Sequence, residues 1–222
     1  MGAARAEAAA TSLVKRYELG AILSVGLAGA LKEDLRAGDL LILSQVHLLE
    51  GEMGQDPPAM SEGLACDRRL VELAVGAAQR TGLAFRQSAS LTVPRLVSQP
   101  ELKRRIGNCL PPPEADQPLA EVEAVEMESY WVGRVAGQHG VPFLALRAIS
   151  DAVGERLPDL QGVVDEEGAV QTGKVLLLLL RRPLYAPTLL RLARDGRRAA
   201  QNLAALIEAF VSSYLVNDWR GS

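Results

Sequence analysis

The sequence predicts an α/β domain, a three-layer α/β/α sandwich built around a central mixed sheet. Segments of strand and helix character alternate along the chain. The run from Val141 to Ile149 is nearly all apolar, which suits a strand buried on both faces. The 222 residues are 48% hydrophobic and 23% charged, an ordinary globular mix. A chain of this length buries roughly 70% of its unfolded surface, so it folds without disulfide or metal staples. One domain spanning 1–222 is expected.

Each element follows from local pattern. Alanines with Leu13, Val14 and Tyr17 predict a helix over 3–17. A short buried strand, 21–25, runs into Gly26 and Gly29, read as a strand-to-helix turn. A longer strand covers 39–48, and the Gly, Pro, Asp and Ser of 51–63 predict a loop. Leu70, Leu73, Ala74 and Ala77 form a helical stripe over 67–80, closed by Gly82. A strand at 85–93, a short helix at 101–106 and an irregular Pro111, Pro112, Pro113 connection come next. A strand at 120–125, a helix at 126–137 and the apolar strand at 141–149 follow, then a polar loop from Asp151. Residues 172–215 read as two helices separated near Pro183 and Pro187.

Composition excludes several classes. The formal charge of −3 argues against a nucleic-acid partner. Cys66 and Cys109 lie far apart, and His47 and His139 are the only histidines, so no metal site is expected. Free cysteines fit a reducing, cytoplasmic location. Residues 1–10 contain no apolar signal region. The aliphatic run Val175 to Leu180 is far short of the ~20 residues that span a bilayer. Arg181, Arg182, Arg191, Arg194, Arg197 and Arg198 lie among leucines near the C-terminus. They read as the solvated face of an amphipathic pair, or as a surface making peripheral membrane contact.

Three constellations follow strands, where α/β folds place ligands. The first is Ser24-Val-Gly-Leu-Ala-Gly-Ala-Leu31. Its glycines allow close approach to the backbone, or simply make a tight turn. The second is Val125-Glu-Met-Glu-Ser129. Its two carboxylates can accept hydrogen bonds from a vicinal diol, or can be acids favoured at a helix start. The third is Leu146-Arg-Ala-Ile-Ser-Asp151. There an aspartate ends an apolar strand, as a general acid facing a cleft or as a turn cap.

Together, in this order, they resemble the nucleoside phosphorylase and nucleosidase family, which includes purine and uridine phosphorylases and methylthioadenosine/S-adenosylhomocysteine nucleosidases. The matching segments are the glycine turn Gly26 to Gly29, Val125 to Glu128, and Arg147 to Asp151. They extend the resemblance over at least Met1 to Asp151, with the nucleosidases nearest. Leu91 to Arg95, Leu157-Pro, Asp165 to Gly168 and Arg181 to Pro183 are similar to a hopanoid-associated branch.

The resemblance implies a nucleoside phosphorylase-like fold and cleavage of the N-glycosidic bond of a purine nucleoside. Adenine is the implied base, and the sugar is implied to carry a 5′ substituent. Glu128 would hold the ribose hydroxyls and Met127 would pack on the sugar. Asp151 would protonate N7 of the leaving purine, with Ser150 orienting it. Ala28 and Gly29 would line the site through their backbones. Val93 and Pro94 would lie beside the base, with Tyr130 or Trp131 as substitutes for an aromatic stacking residue. Arg147 is expected to pair within the sheet.

The nucleophile stays open between water and phosphate. No cofactor is implied, and phosphate would be a co-substrate. Ser24 and Leu27 stand where phosphorylases carry an arginine and a hydroxyl, which disfavours a phosphate clamp. Against the family pattern the chain is expected to begin at the first helix, without the opening strand and its acid. That leaves an alternative, a nucleoside-binding remnant without turnover. It also leaves an exposed sheet edge, which a homo-oligomer would cover.

Overall fold

The computed structural model describes residues 2–51, 59–109, 121–157 and 186–221. Helix α1 (Ala3–Arg16) leads into β1 (Ile22–Ala30) and β2 (Leu40–Glu50). Two short strands follow, β3 (Ala59–Met60) and β4 (Leu64–Ala65), then α2 (Arg68–Thr81) and β5 (Phe85–Thr92). Next come α3 (Pro100–Cys109), β6 (Val122–Glu126), α4 (Ser129–Gln138), β7 (Phe143–Asp151) and α5 (Ala186–Gly221).

The α/β class and the mixed sheet are as expected, but in place of the three-layer sandwich the sheet closes on itself. The sheet runs β3-β2-β5-β6-β1-β7, and β2 also pairs with β7. Strands β2, β5, β6, β1 and β7 therefore close into a barrel-like ring. The β1–β7, β2–β5 and β5–β6 pairs are parallel, whereas β1–β6 and β2–β7 are antiparallel. Both edges of β1 are paired, with β6 on one side and β7 on the other.

Strand β7 is the centre of the core. Phe143 to Ile149 are all buried. On it packs α5, whose Ala199, Leu203, Leu206 and Phe210 make a buried stripe at helical spacing. Helix α2 packs on α5, and α1 packs on α4. Asp67 caps α2 by accepting the Leu70 amide at 3.0 Å, and Gly82 ends it with φ +66°. Over Pro187–Val216, α5 is long and apolar enough to cross a membrane by length and composition, although its inner stripe lies against the sheet.

Three boundaries differ from the sequence reading, each near the site. Strand β1 continues through Gly26 and Gly29 to Ala30, so these glycines lie in a strand rather than a turn. A Cβ on Gly26 would meet Arg147 Nη1 at 3.3 Å, and one on Gly29 would meet Asp151 Oδ2 at 3.1 Å. Here glycine serves close approach, not a bend. Helix α4 starts at Ser129, because Glu126 still belongs to β6. Asp151 is the last residue of β7, not the start of a loop.

The first member of the expected C-terminal pair, the Pro111 to Pro113 connection, and most of the 51–63 loop lie outside the described residues. So do Asp165 to Gly168, Arg181, Arg182 and Pro183. The second member of the pair is α5, with Pro187 in its first turn.

Helix α3 is seated tightly on the chain just after β1. A Cβ on Gly107 would stand 2.7 Å from the carbonyl oxygen of Leu31, a backbone atom with little freedom to yield. Gly107→Ala is therefore expected to lower unfolding free energy by about 1–3 kcal/mol through overpacking. Urea denaturation of the two proteins measures this.

Candidate active site

The ends of β1, β6 and β7 converge on a cavity of about 420 Å³, within the usual range of small-molecule sites. Val25, Leu27 and Leu96 at the cavity are exposed apolar residues. Of the residues singled out from sequence, Ala28, Gly29, Val93, Met127, Glu128, Ser150 and Asp151 all line it. Pro94 is exposed and is not part of the lining. Tyr130 and Trp131 are not in the lining either. They meet edge-to-face at 5.8 Å, and Arg134 lies 4.5 Å over the indole.

The two acids of the Val125 to Ser129 segment have separate jobs. Glu126 is buried, and its Oε2 accepts the amides of Glu128 at 2.9 Å and Ser129 at 2.8 Å. It thus satisfies amides at the start of α4, where a negative charge is favoured. Oε2 also accepts from Arg147 Nη2 at 2.8 Å, and Oε1 accepts from the Thr92 hydroxyl. Burial works against this charge, but the Arg147 guanidinium, the Thr92 hydroxyl and the Glu128 amide outweigh it. They hold the Glu126 carboxyl below the usual carboxylate range. Glu128 is half-buried, and its carboxylate makes no hydrogen bond among the described residues. It is the acid left free to meet a ligand.

Arg147 is 1% exposed and pairs inside the sheet, as its sequence position suggests. Nη2 also donates to Ser24 Oγ at 2.8 Å and Ser129 Oγ at 2.7 Å, while Nη1 donates to the Leu146 carbonyl at 3.0 Å. Ser24 is thereby committed to the arginine.

Asp151 sits at 4% exposure with both carboxylate oxygens engaged. Ser150 Oγ is 2.5 Å from Oδ1 and 3.3 Å from the carbonyl oxygen of Ala28. Lys103, at 0% exposure, pairs with Oδ2 and donates to the Ala152 carbonyl at 3.0 Å. The β1–β7 register places Ala28 opposite Ile149 and Gly29 opposite Asp151, leaving Ser150 as an extra residue. This irregularity lets two successive side chains reach the same cavity, which a regular pleat would forbid.

Sequence reasoning missed Lys103. The available signal was its spacing, since it lies one turn before Ile106 on the apolar side of α3. The residues set aside for other reasons stay apart from the site. The Cys66 thiol is pushed up to about 12 by burial, which makes it inert. His47 Nδ1 lies 3.3 Å from the Ser61 carbonyl, and His139 closes α4. No cluster of metal-ligating side chains occurs among the described residues.

A model of the phosphorylase superfamily matches residues 1–212. The chain is 26% identical to 5′-methylthioadenosine/S-adenosylhomocysteine nucleosidase of Halalkalibacterium halodurans over 193 residues, covering 82% of this chain and 78% of the relative. A nucleosidase of the same description from Staphylococcus aureus is 26% identical over 188 residues, covering 81% and 78%. The fold superposes on the Neisseria meningitidis nucleosidase in complex with methylthio-immucillin-A (TM-score 0.68, 23% identity, 96% of this chain and 78% of that one). It also superposes on futalosine hydrolase of Helicobacter pylori (TM-score 0.66, 21% identity, 96% and 76%). A third match is a nucleosidase from Colwellia psychrerythraea in complex with adenine (TM-score 0.68, 17% identity, 96% and 75%).

The Glu126–Arg147 pair has a measurable stability signature. Glu126→Gln strands a buried guanidinium and is expected to cost about 3 kcal/mol. The native carboxyl holds its proton less readily than an unfolded glutamate. Its contribution is therefore complete above the ordinary value of about 4.3 and is lost as pH falls through the lower folded value. Thermal melting from pH 7 to pH 3 should show a steeper acid decline in the wild type than in Glu126→Gln.

Proposed function

The chain belongs to the phosphorylase superfamily, an enzyme family of nucleosidases and nucleoside phosphorylases, and on that premise we propose that it hydrolyses the N-glycosidic bond of an adenine nucleoside carrying an apolar 5′ substituent. One observation carries the reading. Glu128, without a side-chain partner among the described residues, and Asp151, at the end of β7, line a single cavity of nucleoside size.

The chemistry divides between them. The Glu128 carboxylate accepts hydrogen bonds from the two ribose hydroxyls, while Met127 and the backbone of Ala28 and Gly29 close around the sugar. Asp151 protonates the purine at N7, so the base departs neutral rather than as an anion. General acid catalysis of this kind supplies about 10²–10⁴-fold. The sugar becomes oxocarbenium-like, and the carboxylate at the sugar stabilises that charge. The exposed apolar side chains of Val25, Leu27 and Leu96 suit a 5′ arm such as an alkylthio group.

Water is the favoured nucleophile. Among the described residues, Arg147 is the only cation lining the cavity, and its guanidinium is bound to Glu126, Ser24 and Ser129. A phosphate dianion would meet no uncommitted positive charge there. The relatives named nucleosidases support the same choice.

Wild-type protein is expected to release adenine from 5′-methylthioadenosine at a rate that does not change when phosphate is added. Asp151→Asn is expected to lower kcat by about 10²–10⁴-fold. An adenine assay by chromatography checks both. Phosphate-dependent release would replace hydrolysis by phosphorolysis, and an undiminished Asp151→Asn would remove the acid. Adenine binding in calorimetry without turnover would favour a binding protein.

A further inference from the structure

Among the described residues, Lys103 is the one buried cation that the proposed chemistry leaves unused. It projects from α3, and its ammonium has no water to face at 0% exposure. A buried lysine is costly unless paired. Its partners are the Asp151 carboxylate and the Ala152 carbonyl. It does not line the cavity, so it touches the reaction only through Asp151.

The surroundings of Asp151 isolate this pair. From β1 the backbone of Gly29 approaches, and a Cβ there would lie 3.1 Å from Asp151 Oδ2 and 3.5 Å from Lys103 Cε. From β7, Arg147 is bound to Glu126 on β6. Glu128 lines the cavity ahead of α4. Beyond β7, Glu155 accepts the Ala152 amide at 3.3 Å and faces Arg191 at 3.5 Å. On α3 itself, Glu101 pairs with Arg156 and Arg104 with Glu33, both at the surface. Lys103 is thus a cation in direct contact with the proposed acid.

A carboxylate bound to an ammonium on one oxygen and a hydroxyl on the other holds no proton to give. Resting on the reading of Asp151 as the acid, we propose that Lys103 is its positioning residue and the store of the proton it delivers. The Nζ–H bond facing Oδ2 breaks as an O–H bond forms, leaving a neutral amine beside a neutral carboxyl. That O–H bond breaks as N7 takes the proton, and the glycosidic electron pair leaves with the purine. Water adds to the sugar cation at C1′, and the proton it sheds returns through solvent to the amine, restoring the ammonium for the next cycle. Lysine suits the task because its ammonium can surrender a proton, whereas a guanidinium stays charged.

The test compares two substrates. Adenine in 5′-methylthioadenosine needs the proton to depart; 4-nitrophenolate in 4-nitrophenyl riboside does not. Lys103→Arg keeps the charge and gives up no proton. It should lower kcat on the adenine substrate by about 10²-fold, with 4-nitrophenyl riboside cleaved as before. Lys103→Met leaves the proton to the carboxyl alone, so the alkaline fall of kcat/KM should move to lower pH by about one unit or more. This second variant decides if the arginine variant does not fold.

Wild-type adenine release by Lys103→Arg, equal loss on both substrates, or an unmoved alkaline limb in Lys103→Met would overturn the role of Lys103 alone. Undiminished Asp151→Asn, or a wild type that cleaves neither substrate, would overturn the functional reading and this inference with it.

Discussion

A guanidinium buried in a sheet must be neutralised where it lies, and the Arg147–Glu126 pair meets that demand. Arg147 sits on β7, Glu126 ends β6, Ser24 belongs to β1 and Ser129 opens α4. One side chain therefore ties three strands and a helix start together. Because Glu126 also holds the first amides of α4, the turn between β6 and α4 is fixed in direction. Met127 and Glu128 lie in that turn and line the cavity.

This division of labour explains why two carboxylates two residues apart have opposite environments. Glu126 is surrounded by donors and stays charged in the interior. Among the described residues, nothing takes up the oxygens of Glu128. Asp151 presents a third arrangement, buried yet matched by the lysine behind it. The site thus places its three acids in three different surroundings, each set by the partners around it.

Much of this was legible in the sequence. The apolar run of β7 announced a strand buried on both faces, and the spacing of α2 gave its stripe and its Gly82 cap. The residues lining the cavity were also legible, because three short motifs fell at strand ends. What stayed hidden depended on contacts between distant segments. Gly26 and Gly29 read as a turn, since glycine is a poor strand former. Only the approach of Arg147 and Asp151 shows why nothing larger fits. Ring closure by β2 and β7 joins segments about a hundred residues apart and leaves no local pattern. Lys103 drew no notice within a short helix because its partner is 48 positions away.

The closed ring also bears on how the chain reaches this state. Strand β7 is bordered by β1 on one side and β2 on the other, so it fills the last gap between elements made early in the chain. Such non-local pairings slow folding, because the entropy of closing long loops is lost before the contacts reward it. The cavity then exists only once β7 has docked, for both Ser150 and Asp151 ride on its end. In a refolding chain, turnover would return only once the closing strand has docked, which makes it a clock for that event.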